Sequence, residues 1–412
     1  MSETYTAQQA ANLLGIHRKS LYAYVSRGLI KAYDTPGRSK LYDADDIKRL
    51  QQAKQGKNQP HKVAKQALSW HGYPVLHTEV SRIDSQQLYY RTHAIDELTS
   101  RLDTSFEHVT ALLWHPHNPD YCVQFQGEKL ENLHTLKDAL PKDLPPLKRA
   151  QIYWSLAEHE DMIAYNLDPE HVAHTGEFII HLGLSAVEHS LSPDEFQIPA
   201  SSITHHNMSS ASSRLARSLS MESHSHLLDL AMILCAEHEL NASTFAARVA
   251  ASTRASPYSV CLAGLSTVLG QHHAGTTLRI GVWLDELLRA RSIKQGIAQR
   301  MRRGESWPGL GHKLYSQGDP RAKILWEAIQ KGLPNDLWEP YRNILQEIEK
   351  IKELGKPSID LMLVIMIRAL DGCDEDALTI FALSRCVGWI AHAMEQYNEP
   401  GIIRPRAAFK HG

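Results

Sequence analysis

The side chains with chemistry to offer stand in four short segments: HELNAST at 238–244, LGQHHAG at 269–275, PGLGHKLYSQGDPRA at 308–322 and KPSIDLM at 356–362. Each sets a histidine or an aspartate beside glycine, proline or a cap-forming residue. That places it at a helix end or turn, where working groups are held better than in helix middles. Such residues suit proton transfer and hydrogen bonding to a reacting oxygen. Any one of the 24 histidines would ordinarily be a satisfied surface or core residue; the joint pattern is what weakens that reading. Taken singly, other roles stay open. Asp360 precedes the apolar run LMLVIMI and could cap a helix. Arg321, after Asp319-Pro320, could close a turn, and Arg385 and Arg404 could be ion-pair residues. His272 and His273 are adjacent, so the sequence leaves their register ambiguous.

The elements that must position these groups are mostly helical. Helical periodicity dominates from about residue 95 almost to the end, punctuated by proline and glycine at 116–119, 140–146, 193–199, 304–311, 317–320 and 354–357. A β-like stretch covers 75–91, and the polar run 54–68, with Gly56, Asn58 and Pro60, reads as a linker. Before it, residues 5–14 predict a short helix that Thr6 can cap, and Gly15 breaks it. A second helix opens at His17-Arg18-Lys19-Ser20, with Leu21, Tyr24 and Val25 at helical spacing, and stops at Gly28. The short turn between the two makes a helix-turn-helix. Pro36-Gly37 between two β-prone pieces predicts a wing hairpin, and Asp43 caps a third helix.

Composition sets bounds. The chain has 412 residues, 43% hydrophobic and 22% charged, as in soluble globular proteins. No apolar run approaches the roughly 20 residues that span a bilayer, and the start MSETYTAQQ lacks a secretion pattern. Cys122, Cys235, Cys261, Cys373 and Cys386 show no paired spacing, which predicts reduced thiols in the cytoplasm. The net charge of −2 hides an asymmetry: residues 1–65 hold twelve Lys/Arg against five Asp/Glu, a balance of +7, leaving −9 for the rest. A basic head is a candidate for an anionic partner such as nucleic acid, or simply a solvated surface.

The head, from YTAQQAANLLGIHRKSLYAYVSRGLIKA to GRSKLYDADDIKRL, resembles the winged helix-turn-helix of MerR-type regulators over residues 5–50. In such a domain the second helix enters the major groove and basic wing residues touch phosphates. The resemblance offers Arg18, Lys19, Ser20, Tyr22 and Arg27 on the helix and Arg38 and Lys40 in the wing for duplex DNA; Tyr22 is equally suited to the core. The alternative is a head that packs without binding DNA.

The four segments, in their order, resemble citrate synthase, over about residues 76 to 409. That resemblance implies a mainly α, two-domain, dimeric fold closing over acetyl-CoA or propionyl-CoA and oxaloacetate. The coenzyme A thioester is a substrate, with no permanently bound cofactor and no metal. The reaction needs a carboxylate base for a weakly acidic methyl, a hydrogen bond to the enol oxygen, and a polarised acceptor ketone. The family's positions fall on Asp360 for the base, His273 for the enol and His312 for the ketone. His273 is chosen over His272 because it stands immediately before Ala274-Gly275, where the family has its histidine before two glycines. Acceptor binding falls on His238, Arg321, Arg385 and Arg404, arginine forks matching carboxylates. The coenzyme is expected near Arg302, Arg303, Lys313 and Lys356. Three departures stand out. Cys235 replaces a frequent histidine, His273 is followed by Ala274-Gly275-Thr276-Thr277 instead of Gly-Gly-Ala-Asn, and Leu361, Met362 and Leu363 follow the base. The expected organisation is a head over 1–53, a linker over 54–72 and a synthase-like body over 73–412, with a small subdomain at about 240–345. A reading from another class is a transcription factor that uses the body as a metabolite sensor.

Overall fold

The computed structural model describes residues 4–14, 16, 18–26, 30–34, 40–44, 46, 47, 50, 76–84, 86–118, 121–125, 133–188, 210–273 and 275–405. They divide between two compact units, one within Met1–His77 and the other Thr78–Pro405. The linker expected at 54–72 lies outside the described residues.

In the head, helix Ala7–Leu14 is followed by helix Arg18–Ser26. The first helix begins at Ala7, two residues later than expected, because Thr4–Thr6 is a strand. Thr6 and Gln9 cap each other: the Gln9 N–H donates to Thr6 Oγ1 at 3.4 Å and the Thr6 N–H to Gln9 Oε1 at 2.9 Å, the reciprocal arrangement of a capping box. Strand Lys40–Asp43 is central, antiparallel to Thr4–Thr6 on one side and Ala32–Asp34 on the other. Ala32–Asp34 and Lys40–Asp43, which stand either side of Pro36-Gly37 in the sequence, pair as the strands of a wing hairpin do. Asp43 accepts the Asp46 N–H at 3.1 Å at the start of the third helical segment. Ala10, Ala11, Leu14, Leu21, Ile30, Tyr42 and Ile47 form this unit's own core.

The second unit opens on an antiparallel meander, Ser81–Asp84, Gln87–Tyr90 and His93–Ala94, and is otherwise mainly α. Its axis is the 25-residue helix Asp374–Asn398. Among the described residues this is the one helix long and apolar enough to cross a membrane, and 94% of its apolar window is buried inside the protein. Helices Pro169–Glu188, Ser225–Cys235, Ala242–Ser252 and Pro257–Val268 surround it. The approach of Pro257–Val268 is close: a Cβ on Gly264 would stand 2.6 Å from the Trp389 ring. The stretch 242–268, expected within the small subdomain, thus packs on the central helix. Helices Thr276–Arg289, Ile293–Arg302, Pro320–Gly332, Asn335–Glu349 and Ile359–Ala369 follow. Arg368 ties three elements here, with Nη1 on Asp285 at 2.5 Å and Nε on Asp374 at 2.6 Å.

Candidate active site

Each chemistry-bearing side chain is delivered by a helix end or by the central helix. His238 lies in the turn between Ser225–Cys235 and Ala242–Ser252; Asn241 caps the second helix by accepting the Ser243 and Thr244 N–H groups at 3.0 Å each. His273 lies in the turn before Thr276–Arg289, which its carbonyl helps start by accepting the Thr276 N–H at 3.0 Å. His272 is exposed while His273 is half-buried, so the two are not equivalent.

His312 and Asp360 are held by stitched backbones. Gly311 donates to the Lys356 carbonyl at 2.8 Å, Ser358 donates to the Gly309 carbonyl at 2.8 Å, and Leu310 pairs with Pro357. The turn needs glycine: Gly309 has φ +82°, and a Cβ on Gly355, at φ +77°, would stand 2.8 Å from Gly311 Cα. The N-cap of Ile359–Ala369 is Ser358, which leaves Asp360 in the first turn with a carboxylate that does not cap. Ser358 Oγ donates to Asp360 Oδ2 at 3.3 Å. Asp319 completes the joint. Its carboxylate accepts Arg321 Nε at 3.0 Å, Arg321 Nη2 at 2.9 Å and, from the other helix, the Ile359 N–H at 3.1 Å.

Arg385 enters from the middle of the central helix. It is 1% exposed, Nε donates to the Cys235 carbonyl at 2.8 Å, and the ring of Phe381 lies 4.9 Å from its guanidinium. Nη1 and Nη2 are buried with no hydrogen-bond partner among the described residues. A buried guanidinium edge with both donors unsatisfied is a costly arrangement unless a ligand completes it, and a carboxylate has the matching geometry.

Electrostatics show that these groups converge. Burial, then Arg321 and Arg385, push His238 well below the ordinary histidine range. Burial and then Arg385 push His273 down to about 4; burial and then Arg321 do the same to His312. All three imidazoles are therefore neutral at physiological pH. The rings of His238 and His312 stand 5.2 Å apart. Asp360 moves the other way: burial raises it above the usual aspartate value, and Arg321 opposes that only in part. His312 Nδ1 accepts the Leu314 N–H at 3.3 Å, so a neutral ring carries its proton on Nε2 as a donor. His273 Nε2 is buried with no hydrogen-bond partner among the described residues. Arg321 and Arg385 thus act on a carboxylate and on neutral imidazoles alike, a set suited to proton transfer, hydrogen bonding and carboxylate binding.

Arg404 is not part of this cluster. It is exposed on the extended segment after the central helix, where the Ile403 N–H donates to Ser252 Oγ at 3.1 Å. The cations expected near a coenzyme, Arg302, Arg303, Lys313 and Lys356, are all exposed, and Arg303 pairs with Glu286 and with Glu305, the latter at 2.6 Å. In the head, Arg18, Ser20 and Lys40 are exposed. Lys19 and Tyr22 lie in helix Arg18–Ser26, but their side chains lie outside the described residues, as do Arg27 and Arg38 altogether. Asp319, Tyr315 and the buried pair Glu237–His392, with Oε1 and Nε2 at 3.1 Å, are parts of the site that the motifs did not single out. Only the Asp-Pro-Arg order hinted at the first.

A family model described as citrate synthase, C-terminal domain, matches residues 69–406. One described as helix-turn-helix domain matches residues 4–55. Citrate synthase 2 of Bacillus subtilis is 30% identical over 357 residues, which cover 81% of this chain and 92% of that protein. 2-Methylcitrate synthase 1 of Corynebacterium glutamicum is 25% identical over 358 residues, with the same 81% and 92% coverage. Among solved structures, the ternary complex of Thermoplasma acidophilum citrate synthase with carboxymethyl coenzyme A and oxaloacetate superposes with a TM-score of 0.68 at 22% identity, covering 82% of this chain and 94% of that one. At that identity the likeness is one of fold.

Proposed function

The chain belongs to the citrate synthase family, and from that premise we propose that it joins the carbon beside the thioester, the methyl of acetyl-CoA or the methylene of propionyl-CoA, to the ketone carbon of oxaloacetate. Asp360 takes the proton from the carbon beside the thioester, and its raised pKa favours that transfer. The neutral His273 donates a hydrogen bond to the thioester oxygen as it gains enol character. The new carbon–carbon bond forms while His312 donates from Nε2 to the ketone oxygen, which ends as a hydroxyl. Water then cleaves the thioester and releases the coenzyme A thiol. His238, Arg321 and Arg385 hold the oxo diacid. The observation that carries the reading is the pair of unpartnered donors on buried Arg385, set among neutral histidines and a carboxylate of raised pKa. A sensor would need the arginines but not a base.

The reaction calls for no resident cofactor or metal. A homodimer is part of the reading, with Arg404 reaching the partner's site, and the five free cysteines support a cytoplasmic location. One methylene is worth roughly 1–3 kcal/mol in an apolar pocket, so the acyl preference is decided by experiment. Thiol release is measured with each thioester, with and without oxaloacetate. Release that depends on oxaloacetate supports condensation, and release independent of it, or none, overturns it.

A second reading rests on a separate observation: a helix-turn-helix match over 4–55 on the basic head, with Arg18 and Ser20 exposed on its second helix. The head binds duplex DNA, with the body as enzyme, metabolite sensor or both.

A further inference from the structure

The segment between His312 and Asp319 places one more polar side chain in the site. Tyr315 is 2% exposed. A tight turn carries it: the Tyr315 N–H donates to the His312 carbonyl at 3.1 Å, and the Gly318 N–H donates to the Tyr315 carbonyl at 3.1 Å. The ring then lies against both histidines, its centroid 4.8 Å from that of His312 and 5.6 Å from that of His238. Its hydroxyl stands 3.0 Å from His238 Nε2, between residues 77 apart in sequence. Both partners are buried, since His238 is only 6% exposed.

We propose that Tyr315 is a positioning residue for the 2-oxo acid, acting through His238 by fixing which ring nitrogen carries the proton and how the ring is turned. A neutral imidazole has one N–H and one acceptor nitrogen. A phenol is a better donor than acceptor, so its hydroxyl donates a hydrogen bond to Nε2 and leaves the N–H on Nδ1. Without the hydroxyl, the ring is free to exchange tautomers and to turn by half a revolution, which costs affinity for a ligand that needs one arrangement. The turn that presents His312 also presents Tyr315, so ketone polarisation and acceptor orientation are set by one backbone segment. This inference rests on the condensation reading above.

The test is Tyr315→Phe, which keeps the ring and removes only the hydroxyl. The expected result is a rise in KM for oxaloacetate of roughly 3- to 10-fold, the range of one net hydrogen bond. KM for the acyl-CoA and kcat should stay within about twofold, and the melting temperature should hold. His238→Gln supplies the second arm. In that background Tyr315→Phe should add nothing to KM, because a residue acting through His238 has no effect once His238 is gone. Additive losses, or a KM unchanged by Tyr315→Phe alone, overturn the inference. A parent chain that shows no oxaloacetate-dependent thiol release overturns the condensation reading first, and this inference with it.

Discussion

Replacing Asp319 by asparagine perturbs the joint between the two halves of the site. The carboxylate is fully buried. Oδ1 accepts the Arg321 N–H at 3.1 Å and Nε at 3.0 Å, and Oδ2 accepts Arg321 Nη2 at 2.9 Å and the Ile359 N–H at 3.1 Å. An asparagine turns one of these oxygens into an NH2 group. Two donors then face a donor, and the buried guanidinium loses its counter-charge. Breaking one side of a buried ion pair costs about 3–5 kcal/mol. The unit Thr78–Pro405 has roughly 330 residues, and at about 2.1 cal/mol/K each its unfolding entropy is about 0.7 kcal/mol/K. The melting temperature should therefore fall by about 4–7 °C, as read by scanning calorimetry. Activity should fall too, at least tenfold, because Asp319 links Arg321 to Ile359 at the start of the turn that carries Asp360, and an amide cannot satisfy both sides. A melting temperature within about 1 °C of the parent would refute the ion-pair argument. A lower melting temperature with full activity would show that Asp319 stabilises the fold without placing the base.

Four further outcomes follow from the same geometry. Asp360→Asn should lower kcat by about 10²–10⁴-fold with oxaloacetate binding retained, since an amide cannot take the proton; a kcat within a few-fold of the parent removes Asp360 as base. The acidic limb of kcat/KM should belong to Asp360. Burial raises its pKa, so activity should appear as pH climbs through a value shifted upward from that of an ordinary aspartate; a limb that moves on His273→Gln contradicts this. The full chain should shift duplex DNA with steep salt dependence, weakened by Lys19→Ala and Arg38→Ala; no shift at low salt favours a head that only packs. Inactive Arg404→Ala and Asp360→Asn chains, mixed under subunit exchange, should regain about half the parental activity per heterodimer if Arg404 completes the partner's site. Proven exchange with no regained activity assigns Arg404 to its own subunit or to none.

Local signals were legible and distant pairings were not. Thr6 announced the start of a helix, and proline and glycine around His312 and Asp360 announced turns; each depends on neighbours along the chain. The strand Thr4–Thr6 escaped because three residues carry no period, and its partner Lys40–Asp43 is far along the sequence. For the same reason nothing in the sequence joined Asp319 to Ile359, 40 residues on, or Tyr315 to His238. The helices of 242–268 show apolar faces in sequence, but a face does not name its partner. Between His272 and His273 the residues alone left the register open and only the resemblance chose His273; their different burial is not legible in two adjacent like residues.

The departures from the family pattern take on a different weight once placed in three dimensions. Position 235 holds Arg385 through its backbone carbonyl, a contact indifferent to the side chain. Its thiol, pushed up to about 12 by burial, stays neutral and adds no charge beside two guanidinium groups, where a protonated histidine would have added one. Leu361 follows Asp360 on its helix and is fully buried; a Cβ on Gly309 would stand 3.0 Å from Leu361 Cβ and 2.7 Å from Ile280 Cδ1. Leu361 therefore packs beneath the glycine turn that presents His312, so its size bears on where that histidine sits. Thr277 is buried in the first turn of the helix after His273. Positions 235 and 361 thus support Arg385 and the turn that presents His312, and neither brings a charge to the cluster. Variation of that kind shifts affinity and acyl preference by small steps in packing, and leaves the chemistry that the charged groups can perform unchanged.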